Sequence, residues 1–316
     1  MKEILFLEPV LKSMIWGGNK LETEFGFHIP NNHTGECWAI SAHQNGDCTI
    51  KNGIYHGYTL SWLWENHKEE FGYAEGDVFP LLIKIIDAKE DLSIQVHPDA
   101  EYARRNENWA LGKTECWYVL DCEKDGEIII GHNAKDKQEL RDMVYSDQWD
   151  KLIKVQAIKK GDFFQIEPGT IHAIKKGTLI LETQQNSDIT YRLYDYGRLE
   201  NGKPRELHIE KSIDVINCPH VDIEVGKKVK GTDNYQLEEL IHCDYYTVEK
   251  VILHGEQSFI QNEKFKNITV INGSGSVNCI DIIKGDSFIL PSNFGTYQLK
   301  GNMELIISYI KEDQNN

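Results

Sequence analysis

Residues 81–98 read LLIKIIDAKEDLSIQVHP. A run of strand-forming apolar residues leads to Gln95 and His97, two positions apart, before Pro98 interrupts it. Side chains at i and i+2 share one face of a β-strand, so the amide and the imidazole point the same way. Burying both without partners would cost roughly 1–3 kcal/mol for each neutral polar group. Two arrangements satisfy them: a hydrogen-bond network or a metal ion.

The segments around this stretch share its character. FPLLIKII (79–86), LSIQVHP (92–98), ECWYVL (115–120), EIIIGH (127–132), DFFQIEP (162–168) and TLILETQ (178–184) are short, rich in β-formers and divided by turn residues. Helical spacing is confined to two places. TLSWLWENHKEE (59–70) sets Leu60, Leu63 and Trp64 on one face, with Thr59 or Ser61 as N-cap. Residues 135–157 carry one stripe of Leu140, Met143 and Val144 and another of Trp149, Leu152 and Ile153. Helices that cluster instead of alternating with strands fit a parallel α/β sheet poorly. The expectation is a mainly β protein, an antiparallel barrel or jelly roll with helical additions.

From about residue 215 the pattern is almost purely β, in YYTVEKVIL, FKNITVING, SGSVNCIDI and DSFILPSNFGTYQLKG. This divides the chain into residues 1–214 and a smaller sheet domain, 215–316. A weak internal repeat supports the division. KKGDFFQIEPGTIHAI (159–174) and IKGDSFILPSNFGTYQL (283–299) share Lys-Gly-Asp, an apolar strand and a Pro-centred turn. Four residues beyond Pro168 stands His172, whereas Gly295 stands four beyond Pro291. Any metal therefore belongs to the first copy.

Gln95, His97, Glu115 and His172 together make a credible site for Zn²⁺ or a similar divalent ion. Two imidazoles supply borderline nitrogen ligands, the carboxylate offsets charge, and the amide oxygen is a weaker neutral donor. Each residue alone also fits an ordinary role, a core histidine or a strand carboxylate. Lys113 precedes Glu115 by two residues, and Arg192 lies downstream of His172; either fits a solvated surface charge as well as a site. Glu182 reads as an acid/base group or a strand-edge carboxylate. Cys116 falls on the opposite side of its strand from Glu115, and Arg104-Arg105 reads as a solvated helical face. GSGS at 273–276 matches neither a P-loop nor a dinucleotide fingerprint.

With 34 basic and 50 acidic residues among 316, the formal charge is −16, which disfavours nonspecific binding to nucleic acid or anionic membranes. No apolar run reaches the length of a membrane span, and the N-terminus lacks the pattern of a secretion signal. Seven widely spaced cysteines without a CxxC fit free thiols in a reducing cytoplasm.

The ordered set LKSMIWGGNKL, GECWAIS, FPLLIKIIDAKEDLSIQVHPDAEYA, GKTECWYVL, GDFFQIEPGTIHAI and LILETQQNSDITYRLYDYGR resembles the type I mannose-6-phosphate isomerases, in their shorter bacterial form within the cupin superfamily. REL.I.KS at 205–212 is similar to a later family segment. The resemblance spans most of the chain. It implies a Zn²⁺ centre on Gln95, His97, Glu115 and His172, and a degenerate second cupin barrel at the C-terminus. It also implies Arg192, Lys113 and Glu182 as catalytic residues; spacing around Glu182 departs slightly from the longer eukaryotic branch. The reaction implied is interconversion of D-mannose 6-phosphate and D-fructose 6-phosphate through an enediolate stabilised by the metal and by basic residues. Glu182, a metal-bound water and Lys113 are rival proton shuttles. An isomerase for another phosphosugar and a noncatalytic sugar-phosphate-binding regulatory cupin are the alternatives, because fold does not fix function.

Overall fold

A computed structural model describes residues 2–109, 111–223, 226 and 228–310. Strands dominate, and they fall into three main sheets of five, six and nine strands. The six-stranded sheet runs in the order Phe163–Ile166, Glu115–Asp121, Thr178–Gln185, Leu81–Ala88, Val10–Gly18 and Thr34–Ile40. The five-stranded sheet runs Ile153–Ala157, Glu127–His132, His172–Ile174, Ile94–Val96 and Tyr191–Tyr194. All pairings in both are antiparallel. This is the double-sheet form of a jelly roll, the expected mainly β cupin architecture.

Alternation of side chains explains how the sheets stack. Along Leu81–Ala88 all eight residues are buried, so the strand is covered on both faces. Leu81, Ile83 and Ile85 pack toward Leu240, Val248, Ile289 and Ile306 of the C-terminal region. Ile86 and Ala88 pack instead with Leu92, Ile128 and Ile174 of the five-stranded side. The outer face of the five-stranded sheet, through Ile94, Val96, Ile129 and Leu193, meets Leu140, Val144, Leu152 and Ile213 of the helices. Helices, small sheet, large sheet and C-terminal sheet thus form successive layers.

The helix expected over 59–70 is Leu60–Asn66, capped by the Thr59 side chain, which accepts from the Trp62 N–H at 3.3 Å. A 3₁₀ turn, Lys68–Phe71, follows and ends on a left-handed Gly72. The helical stretch expected within 135–157 needs correction at its end. Lys137–Tyr145 and Trp149–Leu152 are helical, but Ile153–Ala157 is a strand paired with Glu127–His132. Ile153 continues the apolar stripe of the helix, yet the backbone partners offered by a neighbouring strand decide its conformation.

The C-terminal region forms most of the nine-stranded sheet, built on Thr247–Gln261, Lys266–Val277 and Gly295–Tyr309. The repeated strand–turn–strand unit is preserved: Gly295 opens its strand as His172 opens its own. Two members of this sheet come from the N-terminal part of the chain. Leu5–Glu8 pairs with Ser287–Leu290 on one side and Thr49–Ile50 on the other. All seven cysteines are free thiols, and Cys116 faces the C-terminal core, away from Glu115. Among the described residues no helix is long and apolar enough to cross a membrane.

Candidate active site

Register places the polar residues between the facing sheets. On the five-stranded side His172 and Arg192 both stand opposite Gln95, giving a row His172–Gln95–Arg192. On the six-stranded side Trp38, Lys84, Glu182 and Trp117 form a second row, and Gln184 stands opposite Glu115 in the next. His97 lies just past its short strand, where the chain leaves the sheet before Pro98.

His97, Glu115 and His172 are fully buried, and one ligand atom from each lies within 4.8 Å of the others. The Nε2 atoms of the two imidazoles face one another at 3.1 Å. Each is 3.4 Å from an oxygen of Glu115. His97 Nδ1 lies 2.8 Å from the Ile189 carbonyl, and His172 Nδ1 lies 2.9 Å from that of Thr170. A carbonyl only accepts, so both Nδ1–H groups donate and both Nε2 atoms carry lone pairs. Such backing by carbonyls fixes the tautomer and orientation of metal-binding histidines.

Burial holds both imidazoles neutral. That of His97, with the Lys113 ammonium beside it, is pushed down to about 3. That of His172 is also lowered, chiefly by burial. Burial pushes the Glu115 carboxyl up, but Lys113 and the two histidines outweigh it and leave it ionised well below the ordinary range. Two inward lone pairs therefore meet a buried carboxylate whose Oε1 has no hydrogen-bond partner. Neutral imidazoles and an unpartnered anionic oxygen fit a divalent cation. The Gln95 amide nitrogen lies 3.3 Å from His172 Nε2, and turning the amide over brings its oxygen to that spot. Lys113 ion-pairs with Glu115 Oε2 and donates to His97 Nε2 at 2.9 Å, so a basic group flanks the cluster.

The cluster adjoins a cavity of about 390 Å³ whose lining includes Gln95, Lys113, Glu182 and Arg192. This is an ordinary size for a small-ligand site. Its charged lining comprises Lys12, Lys84, Lys113, Arg192 and Arg205 against Glu36, Glu182 and Asp188. Five cations against three anions make it locally positive in a chain of formal charge −16. Arg192 is half-buried; its Nη1 donates to the Glu206 carbonyl at 2.9 Å, while its Nε is buried without a partner. Glu182 stands apart from the histidine cluster. It pairs with Lys84 at 3.3 Å and accepts from the Trp117 indole at 3.0 Å. Burial, reinforced by the Glu115 charge, raises its carboxyl above the ordinary range.

Lys84 and Arg205 escaped the sequence reading. Lys84 was in plain view, between two pairs of apolar residues in the opening stretch; a lysine inside a strand buried on both faces needs an anionic partner. Arg205 lies in the REL segment and reaches the cavity only through tertiary structure. The Arg104-Arg105 pair lies outside the cavity lining, with Arg105 bound to Glu101 on the exposed helix face at 2.5 Å.

A cupin fold with a buried His–Glu–His cluster beside a cationic cavity defines a class of protein: a cupin with a candidate metal site facing a pocket suited to an anionic small ligand. Two family models narrow it. That of the phosphomannose isomerase type I catalytic domain matches residues 4–132, and that of the mannose-6-phosphate isomerase cupin domain matches residues 236–310. Mannose-6-phosphate isomerase ManA of Bacillus subtilis (strain 168) is 50% identical over 313 residues, covering 98% of this chain and 99% of the relative. The mannose-6-phosphate isomerase of Streptococcus mutans is 44% identical over 323 residues, covering 99% and 100%. The crystal structure of the mannose 6-phosphate isomerase from Bacillus subtilis superposes with a TM-score of 0.96 at 48% identity, covering 98% of this chain and 100% of that one. The chain belongs to the type I phosphomannose isomerase family.

Proposed function

We propose that this chain interconverts D-mannose 6-phosphate and D-fructose 6-phosphate in the cavity between its two facing sheets. The observation that carries the reading is the convergence of two inward imidazole lone pairs and an unpartnered Glu115 oxygen at the wall of a positively charged cavity. Gln95, His97, Glu115 and His172 would hold the metal, with Zn²⁺ favoured by the nitrogen donors and another divalent ion as the alternative. A bound divalent ion supplies Lewis acidity toward the sugar oxygens.

The remaining work falls to the protein. Aldose–ketose exchange opens the sugar ring, removes a proton from C2 and returns one to C1. Negative charge grows on the substrate oxygens, and Lys113 and Arg192 supply fixed positive charge against it. Glu182 is suited to carry the proton, because its burial raises proton affinity toward working pH. Lys84 keeps that carboxylate company without leaving the strand. Arg205, on the cavity wall, offers a guanidinium group for the phosphate. Residues 1–214 would carry the chemistry and 215–316 would support it, in the cytoplasm.

The test follows fructose 6-phosphate formed from mannose 6-phosphate by purified protein, before chelation, after it and after Zn²⁺ is restored. Product that disappears and returns with metal is expected. Absence of product in metal-replete protein would overturn the proposed activity.

A further inference from the structure

Asp195 is a buried carboxylate without a part in the reaction outlined above. It is only 5% exposed, yet it binds two arginines that are ten and three residues away along the chain. Arg205 approaches side-on: its Nε donates to Oδ2 at 2.8 Å and its Nη2 to Oδ1 at 2.5 Å. Arg198 donates to the same Oδ1 and also to the Asp91 carbonyl, at the start of the segment that leads into Gln95. Between these arginines the chain makes an exposed two-stranded hairpin, Leu199–Glu200 with Lys203–Pro204, turning through left-handed Asn201 and Gly202.

The clasp lies at the root of that hairpin. Arg205 belongs at once to the clasp and to the lining of the substrate cavity, where Arg192 is also found. Freed from Asp195, a guanidinium following an exposed turn would sample many rotamers, and Arg192 would repel it. Held side-on, it uses one N–H each of Nε and Nη2 on the carboxylate and keeps Nη1, with the second N–H of Nη2, for another anion. Such a fixed planar fork suits a phosphate far better than a mobile charge does.

We propose that Asp195 is a positioning residue, which presets Arg205 for the phosphate of the substrate through the side-on ion pair. The proposal rests on the assignment of Arg205 to the phosphate given above. Asp195 touches no reacting atom, so its influence falls on binding and spares the proton transfers.

Asp195→Asn, Arg205→Gln and the double variant separate the possibilities. In the folded, metal-loaded D195N enzyme, KM for mannose 6-phosphate and the inhibition constant for inorganic phosphate should each rise at least tenfold, with kcat within threefold. Adding D195N to R205Q should raise neither constant further. A folded D195N with wild-type constants, while R205Q is impaired, would overturn the positioning role and leave the phosphate assignment standing. Wild-type constants in both single variants would overturn both. If D195N does not fold, Arg205→Lys carries the test, because a lysine side chain has a single nitrogen and cannot bind Asp195 through two nitrogens while a third stays free for phosphate; unchanged KM in R205K would overturn the proposal.

Discussion

His172 combines the local and long-range demands on a metal-ligating residue. Its Nδ1–H is committed to the carbonyl of Thr170, two residues back, while Nε2 faces His97 and Glu115 from distant parts of the chain. His172→Ala should therefore lose both metal and activity, with metal content read by elemental analysis; full stoichiometry would remove His172 from the ligand set. Arg192 invites the opposite expectation. It lines the cavity beside Gln95 in register but lies outside the histidine cluster. Arg192→Ala should lower turnover about 10²–10³-fold, the scale for loss of one preorganised charge-stabilising donor. Metal should stay in place. Normal turnover with bound metal would dismiss its role.

Among the elements, the Pro168-Gly169-Thr170 turn shows how backbone shape places a ligand. Gly169 has φ +82°, and a Cβ there would come within 2.5 Å of the Asn217 amide and 2.7 Å of the Val215 carbonyl. Gly169→Ala should destabilise the protein by about 1–3 kcal/mol, the range for a residue forced into a sparsely populated conformation. Calorimetry should find a lower Tm, and metal titration a weaker site, since His172 hangs from the same turn. This part of the protein was legible beforehand, because a Pro-Gly turn and a two-residue alternation are local signals. Cys116 facing away from Glu115 followed from the same alternation. Lys84 was overlooked because it sat within an apolar run, and its anionic partner Glu182 is supplied by a strand almost a hundred residues later. Ile153–Ala157 was misjudged because its apolar spacing suits a helix, and only a neighbouring strand reveals the alternative. Arg205 was missed for a related reason: its carboxylate partner Asp195 and the cavity are joined around a hairpin.

The layered whole buries titratable groups outside the histidine cluster, and they set how the fold responds to acid. His43 and His132 are both buried, and burial lowers the proton affinity of each below the ordinary histidine value. Below about pH 6.5 the unfolded chain takes up protons that these folded side chains refuse, so stability falls as pH drops toward their lowered values. Urea midpoints of metal-saturated protein should accordingly be lower at pH 5.5 than at 7.5, and His132→Gln should shrink the difference; equal midpoints would contradict this account. The strand Leu5–Glu8 has a different kind of consequence, because Leu5 stands opposite Ile289. At a synthesis rate of about 5–20 residues per second, this strand waits roughly 15–60 s for that partner to be translated. Until then its apolar edge is a client for whatever guards nascent chains, because the residues that cover it lie on a strand made much later.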